Sequence, residues 1–456
     1  MDGLISTSRS KQILDHFRCG PEIPEFCVPE SLKGPNGYFR FGPSVICYGQ
    51  ATAEIRSAAN GVLFDASQHL RDDGRTIVLP FDHNQVLENL RYERYVSPSG
   101  SQRWIEASWT KSLYYGLRPM LPVFVRKHLQ KAYLQQREEA TFPDWPVDRS
   151  VDVLFEKLLA LALQSSQTDR IPFIWFWPDG YKACAVMTHD VETTAGRDFC
   201  NDLMDVNDAF GIKSSFQIVP EKRYTVPSAY LETIRDRGFE VNVHGLDHKG
   251  NLFENRERFL ECARKINKYA ELFGSRGFRS PCLYRNVDWF QELNFSYDMS
   301  VPNVARLEAQ RGGCCTVLPY FLPGGMLELP LTTTEDYSLF HILRDYSTTL
   351  WKQQISVILQ GHGLMNFLVH PDYVIPDGAR DVYKALLEEI CGLQSRRDVW
   401  VALPGDVDHW WRERSQMRLV SDGHNWRVEG TGNGRASVAY ACLDGDRLVY
   451  EIASRH

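Results

Sequence analysis

Several features that would announce a function are missing from this sequence. There is no excess of base, since Lys plus Arg number 51 against 58 Asp plus Glu, leaving a net charge of −7. A protein that tracks a phosphate backbone needs a cationic surface, so nucleic acid is not an expected partner. The eleven cysteines, scattered from Cys19 to Cys442, form no CxxC pair and are odd in number, which suits a reducing compartment better than a disulfide framework. The adjacent Cys314 and Cys315 read as packing residues. No apolar run approaches the ~20 residues that span a bilayer. The greasiest stretch, Val151 to Leu163, is broken by Asp152, Glu156 and Lys157 and reads as an amphipathic helix. At the N-terminus there is no basic segment followed by the apolar core of a secretory signal, so the expected location is cytoplasmic. A Gly-x-Ser-x-Gly elbow, a Walker A loop and a strand-linked GxGxxG are also missing, against serine-hydrolase chemistry and against ATP or NAD use.

What remains is the composition of a globular chain, 43% hydrophobic and 24% charged over 456 residues, long enough for two or three domains. Residues 1–148 are irregular, with turn formers at Gly34-Pro35-Asn36-Gly37 and Ser97-Pro98-Ser99-Gly100, and read as an N-terminal accessory domain of mixed structure. Within it, Leu121 to Gln136 has helical periodicity with a basic, solvated face. Residues 171–404 alternate short apolar runs with helical segments, the pattern of βα units. Strands are expected at 184–189, 214–219, 239–243, 277–279, 326–330, 366–369 and 399–402, with helices at 198–210, 228–237, 255–272, 339–360 and 379–393. About seven such repeats fit an α/β barrel, and a doubly wound sheet would give much the same string. Residues 405–456 alternate around Asp422-Gly423 and Asp444-Gly445, which predicts a small antiparallel β module. Its Gly430-x-Gly432-x-Gly434 triplet precedes no helix and reads as a turn, and Trp410, Trp411 and Trp426 read as buried anchors of the module ahead of sugar-stacking platforms.

Three places in the middle segment put metal-ligand side chains at predicted strand ends. Thr188-His189-Asp190-Val191-Glu192 closes the first strand, and carboxylates two apart in an extended segment project to one side. Val243-His244-Gly245-Leu246-Asp247-His248 closes the third, and imidazoles at i, i+4 lie on one face of a helical turn. Val369-His370-Pro371-Asp372 closes the strand at 366–369. The histidine pair taken alone fits solvated or core histidines as readily as ligands.

In their order along the chain, Thr188-His189-Asp190-Val191-Glu192, His244-x-x-x-His248, Gly277-Phe278-Arg279-Ser280-Pro281 and Leu368-Val369-His370-Pro371 resemble the motifs of the NodB-type polysaccharide deacetylases, carbohydrate esterase family four. Tyr297-Asp298 and Met326-Leu-Glu-Leu-Pro330 resemble further segments of that family between the third and fourth motifs. The resemblance covers roughly residues 180–400. It implies a distorted (β/α) barrel holding one divalent metal, usually zinc, and hydrolysis of an N-acetyl group from an amino sugar or oligosaccharide.

Carried over by position, the resemblance implies that His244 and His248 are imidazole ligands and that the first motif supplies a carboxylate. The family commonly has two adjacent aspartates there, whereas Val191 follows Asp190 in this chain. The resemblance then assigns Asp190 as the general base and Glu192 as the third ligand, with Asp190 as the ligand in the competing register. Arg279 would pair with Asp190, the backbone N–H of Cys282 would donate to the oxyanion, and His370 would be the general acid. Where the family usually has Tyr-Gly after the third motif's proline, this chain has Cys282-Leu283, which implies a different pocket wall. An amide other than an N-acetyl sugar, such as a cyclic imide or ureide, and a non-catalytic carbohydrate-binding role are the alternative functions.

Overall fold

The computed structural model describes residues 4–6, 11–20, 23–30, 32–52, 54–74, 76–96, 141–166, 168–421, 423 and 425–453. The expected helix at 121–136 and the turn at 97–100 lie outside the described residues. The chain forms two compact units, one built from residues 1–95, 148–183 and 409–456, the other from 96–147 and 184–408.

The second unit is organised by one curled sheet. Its strands are β1 (Ala183–Val191), β2 (Ser214–Ile218), β3 (Glu240–His244), β4 (Gly277–Arg279), β5 (Tyr297–Asp298), β6 (Tyr320–Phe321), β7 (Leu327–Glu328), β8 (Leu364–Leu368) and β9 (Val399–Val401). The order across the sheet is β6-β7-β5-β4-β3-β2-β1-β8, with β9 also paired to β1. From β8 to β7 the neighbours run parallel, and only the β6–β7 edge is antiparallel. Seven parallel strands are thus joined by an antiparallel edge strand and by β9. Strand β1 is buried along its whole length, as its near-continuous apolar sequence requires of a strand covered on both faces.

The backbone ladder does not close between β7 and β8, and side chains bridge the gap. Thr332 donates its hydroxyl to the Leu364 carbonyl at 2.6 Å and accepts from the Asn366 N–H at 2.9 Å. The Thr333 hydroxyl reaches the Asn366 carbonyl at 2.8 Å, and the Asn366 amide donates to the Leu329 carbonyl at 3.0 Å. These bonds satisfy backbone groups that would otherwise be buried unpaired, at the opening of the curled sheet.

Helices α1 (Thr194–Ala209), α2 (Ser228–Asp236), α3 (Arg256–Phe273), α4 (Thr349–Gln360) and α5 (Asp377–Ser395) connect the strands. Capping residues set their ends. Thr193 accepts from the Gly196 N–H and starts α1, leaving Glu192 as the one residue between β1 and the cap. Asn255 caps α3, which ends at Gly274 in the left-handed region. The single helix expected over 339–360 is two elements, a π-helical turn at Ser338–Leu343 and α4, divided where Arg344 adopts a φ of 58°.

In the first unit, Arg170–Ile174 forms an antiparallel ladder with Val438–Asp444, which pairs in turn with Arg447–Ile452. The tail shares this unit with residues 1–95 and the helix Ser150–Ser166. Its core is aromatic. Phe17, Phe173, Phe176 and Tyr450 meet at ring-centroid distances of 5.3–6.4 Å. Trp410 and Trp411 lie on a helix, Pro404–Gln416, and are buried. The Trp410 indole donates to the Phe176 carbonyl at 2.8 Å, and Trp411 packs on Trp177, so both are core residues and not sugar platforms. No helix among the described residues is long and apolar enough to cross a membrane.

Candidate metal centre

The C-terminal ends of the parallel strands gather the metal-ligand and titratable side chains, where the geometry of parallel α/β sheets leads one to look for a site. Asp190 is the penultimate residue of β1 and Glu192 follows that strand, while His244 ends β3 and Arg279 ends β4. His370 stands two residues beyond β8. Register does the rest, because His244 is the direct partner of Arg279 and Leu368 that of Thr188.

His248 arrives by a route the sequence did not suggest. Residues 245–248 form no helical turn. Gly245 has a φ of 60° and His248 a φ of 51°, and this tight loop folds the second imidazole back to 4.9 Å from the first. Gly245 is needed there, since a Cβ would stand 2.4 Å from Pro281 Cγ. The same contact joins the histidine loop to the short helical turn Pro281–Leu283, whose Cys282 has a φ of 56°.

Glu192, His244 and His248 bring one ligand atom each within 4.8 Å of one another, and so do Asp190, Glu192 and His370. Glu192 Oε1 lies 2.7 Å from His248 Nε2, 3.6 Å from His244 Nε2 and 3.4 Å from His370 Nε2. Asp190 Oδ2 is 3.5 Å from His244 Nε2. The Nε2 atom of His244 is buried with no hydrogen bond among the described residues, and that of His248 faces the Glu192 carboxylate. Two buried imidazole nitrogens converging on one carboxylate fit a divalent cation, and three protein ligands with open positions is the coordination of a catalytic zinc. Burial opposes the charge on Glu192, but His248, His244 and His370 outweigh it and hold the carboxyl well below the ordinary range.

The remaining predicted residues flank this cluster. Arg279, wholly buried, donates Nη1 to Asp190 Oδ1 at 3.0 Å and to the Thr188 hydroxyl at 2.8 Å, and Nε to the Met299 carbonyl at 3.0 Å. His370 has a partner that the motif reading missed. Asp336 Oδ1 is 2.7 Å from His370 Nδ1, and Oδ2 accepts from the His370 backbone N–H at 2.8 Å. Burial works against the charged ring, yet Asp336 and Glu192 raise His370 well above its ordinary pKa. The signal available in the sequence was an acid directly after Leu331-Thr-Thr-Thr-Glu335, but nothing local ties it to a histidine 34 residues on. Cys282 is placed just past β4, beside the histidine loop.

No protein-family profile matches the sequence, and no curated protein matches it. Solved structures similar to this chain include proteins of the kind its motifs resemble. One from Mycobacterium smegmatis, assigned as a polysaccharide deacetylase, aligns over 55% of this chain and 98% of its own at 18% identity and a TM-score of 0.43. Puue allantoinase aligns over 52% and 92% at 14% identity and a TM-score of 0.40. The peptidoglycan deacetylase PdaC from Bacillus subtilis aligns over 51% and 93% at 12% identity and a TM-score of 0.33.

Proposed function

We propose that the protein is a metal-dependent hydrolase that removes the N-acetyl group of an amino sugar in polysaccharide or glycolipid assembly. The observation that carries this reading is the convergence of Glu192, His244 and His248, with both imidazole Nε2 atoms buried and turned to the Glu192 carboxylate. These three residues would hold the ion, with zinc the best match to the donor set. A bound divalent ion polarises an amide carbonyl and brings the pKa of water down to about 7.

The chain's own groups divide the proton work. Asp190 is the base that takes the proton of the attacking water, and Arg279 fixes its orientation through Oδ1, leaving Oδ2 toward the cluster. His370 is the acid that delivers a proton to the departing amine from Nε2, because Asp336 engages Nδ1. A positioned acid or base of this kind contributes about 10²–10⁴-fold. The backbone N–H of Cys282 is the donor to the developing oxyanion, a role that tolerates a change of side chain. The Asp-Val-Glu first motif and the Cys282-Leu283 wall favour a second reading in which the substrate is another amide, such as a cyclic imide or ureide.

The test is acetate release from chitooligosaccharides by the zinc-loaded protein, beside turnover of small cyclic imides. Release of acetate that disappears in His244→Ala and His248→Ala supports the first reading. Turnover of imides alone supports the second, and activity that survives both substitutions refutes the metal-dependent mechanism.

A further inference from the structure

The two histidines of the cluster are prepared in opposite ways. A neutral imidazole binds a metal through the lone pair of one nitrogen, and its other nitrogen then carries a proton that needs an acceptor. His244 meets this condition. Its Nδ1 lies 3.1 Å from the Arg279 carbonyl oxygen, which can only accept, so the proton sits on Nδ1 and Nε2 offers its lone pair to the cluster. For His248 the partner is reversed. Its Nδ1 lies 3.0 Å from Nη2 of Arg223, and a guanidinium can only donate.

We infer that Arg223 holds His248 in the tautomer that opposes metal ligation, and so sets how tightly the site takes its ion. The inference rests on the reading of Glu192, His244 and His248 as metal ligands. With Arg223 donating to Nδ1, the ring proton is on Nε2, 2.7 Å from Glu192 Oε1. Ligation through Nε2 would move that proton to Nδ1 and set two donors face to face. The same Nη2 also donates to the His248 carbonyl at 2.9 Å, so the arginine grips ring and backbone together. Arg223 is an exposed side chain, free to swing into water when the ion enters. It is a positioning residue, acting on the metal through His248, and the cost of displacing it is subtracted from metal affinity.

The experiment is a Zn²⁺ titration of the metal-stripped full-length chain against a chromophoric chelator, for wild type, Arg223→Met and Arg223→Gln. Methionine removes the donor, and glutamine can turn its amide oxygen toward a proton on Nδ1. Both variants are expected to bind zinc about 10–100-fold more tightly than wild type, the range that outer partners of metal-binding histidines command. Equal or weaker binding by both variants, with wild type binding normally, overturns the inference and leaves the metal reading standing. No binding by any of the three overturns the metal reading and the inference with it. Long-range ¹H–¹⁵N spectra of the metal-free wild type separate tautomer from simple charge removal. A proton on His248 Nε2 is expected, and one on Nδ1 overturns the inference whatever the affinities.

Discussion

Replacing Arg279 with methionine tests whether a buried ion pair organises the C-terminal end of the parallel strands. Arg279 and Asp190 are 0% and 2% exposed, and the guanidinium makes three hydrogen bonds, to Asp190, Thr188 and the Met299 carbonyl. Methionine fills most of the volume and supplies none of these donors, so the Asp190 carboxylate is left buried without its partner. Breaking a buried pair from one side costs about 3–5 kcal/mol. Asp190→Asn in the same chain removes the stranded charge. The double variant is therefore expected to be about 1–3 kcal/mol more stable than the sum of the single changes, the size of coupling found between residues in contact. The assay is hydrogen exchange on peptides covering β1 and β4 under increasing urea, which reads the opening of this region in the intact two-unit chain. Additive single and double variants would refute the argument, because they would mean that Asp190 and Arg279 do not depend on each other.

Asp336→Asn should lower kcat for amide hydrolysis by about 10²–10⁴-fold with KM nearly unchanged, since it disturbs the acid and not the substrate's contacts. A change confined to KM would argue against the His370–Asp336 assignment. Gly245→Ala forces a Cβ to within 2.4 Å of Pro281 Cγ at a φ of 60°, so zinc affinity should fall although no ligand is altered; unchanged affinity would show that the loop is not what places His248. In the other unit, His83 is fully buried with neither ring nitrogen hydrogen-bonded among the described residues, and burial brings its pKa down to about 4. The unfolded chain takes a proton from about pH 6.5 downward that the folded chain refuses until about pH 4. His83 alone should accordingly cost that unit about 3 kcal/mol of stability between those limits on acidification, and His83→Leu should reduce the loss when unfolding is followed against pH, leaving the part due to His16, which burial also holds well below its ordinary value.

The strands of the second unit were legible because parallel strands buried on both faces are short uniform apolar runs. Ala183–Val191, Ser214–Ile218 and Gly277–Arg279 fall within two residues of expectation. That Asp190, Glu192, His244 and His370 come together could be read because strand ends are marked by a switch from apolar to His or carboxylate side chains. What stayed hidden depends on long-range pairing. The ladder between Arg170–Ile174 and Val438–Cys442 spans most of the chain, and both segments simply look like strands. The same holds for the closure by Thr332, Thr333 and Asn366, whose side chains replace a ladder that periodicity cannot register. His248 was expected on a helical face, and a pair of left-handed residues does the same work with a different backbone.

The decisive measurement for Glu192, His244 and His248 as ligands is the zinc retained after equilibrium dialysis of the wild type and of Glu192→Gln, His244→Ala, His248→Ala and Asp190→Asn. One ion per chain is expected in the wild type and in Asp190→Asn, with loss in the other three. Full retention in the histidine variants, or loss in Asp190→Asn with retention in Glu192→Gln, would contradict this assignment.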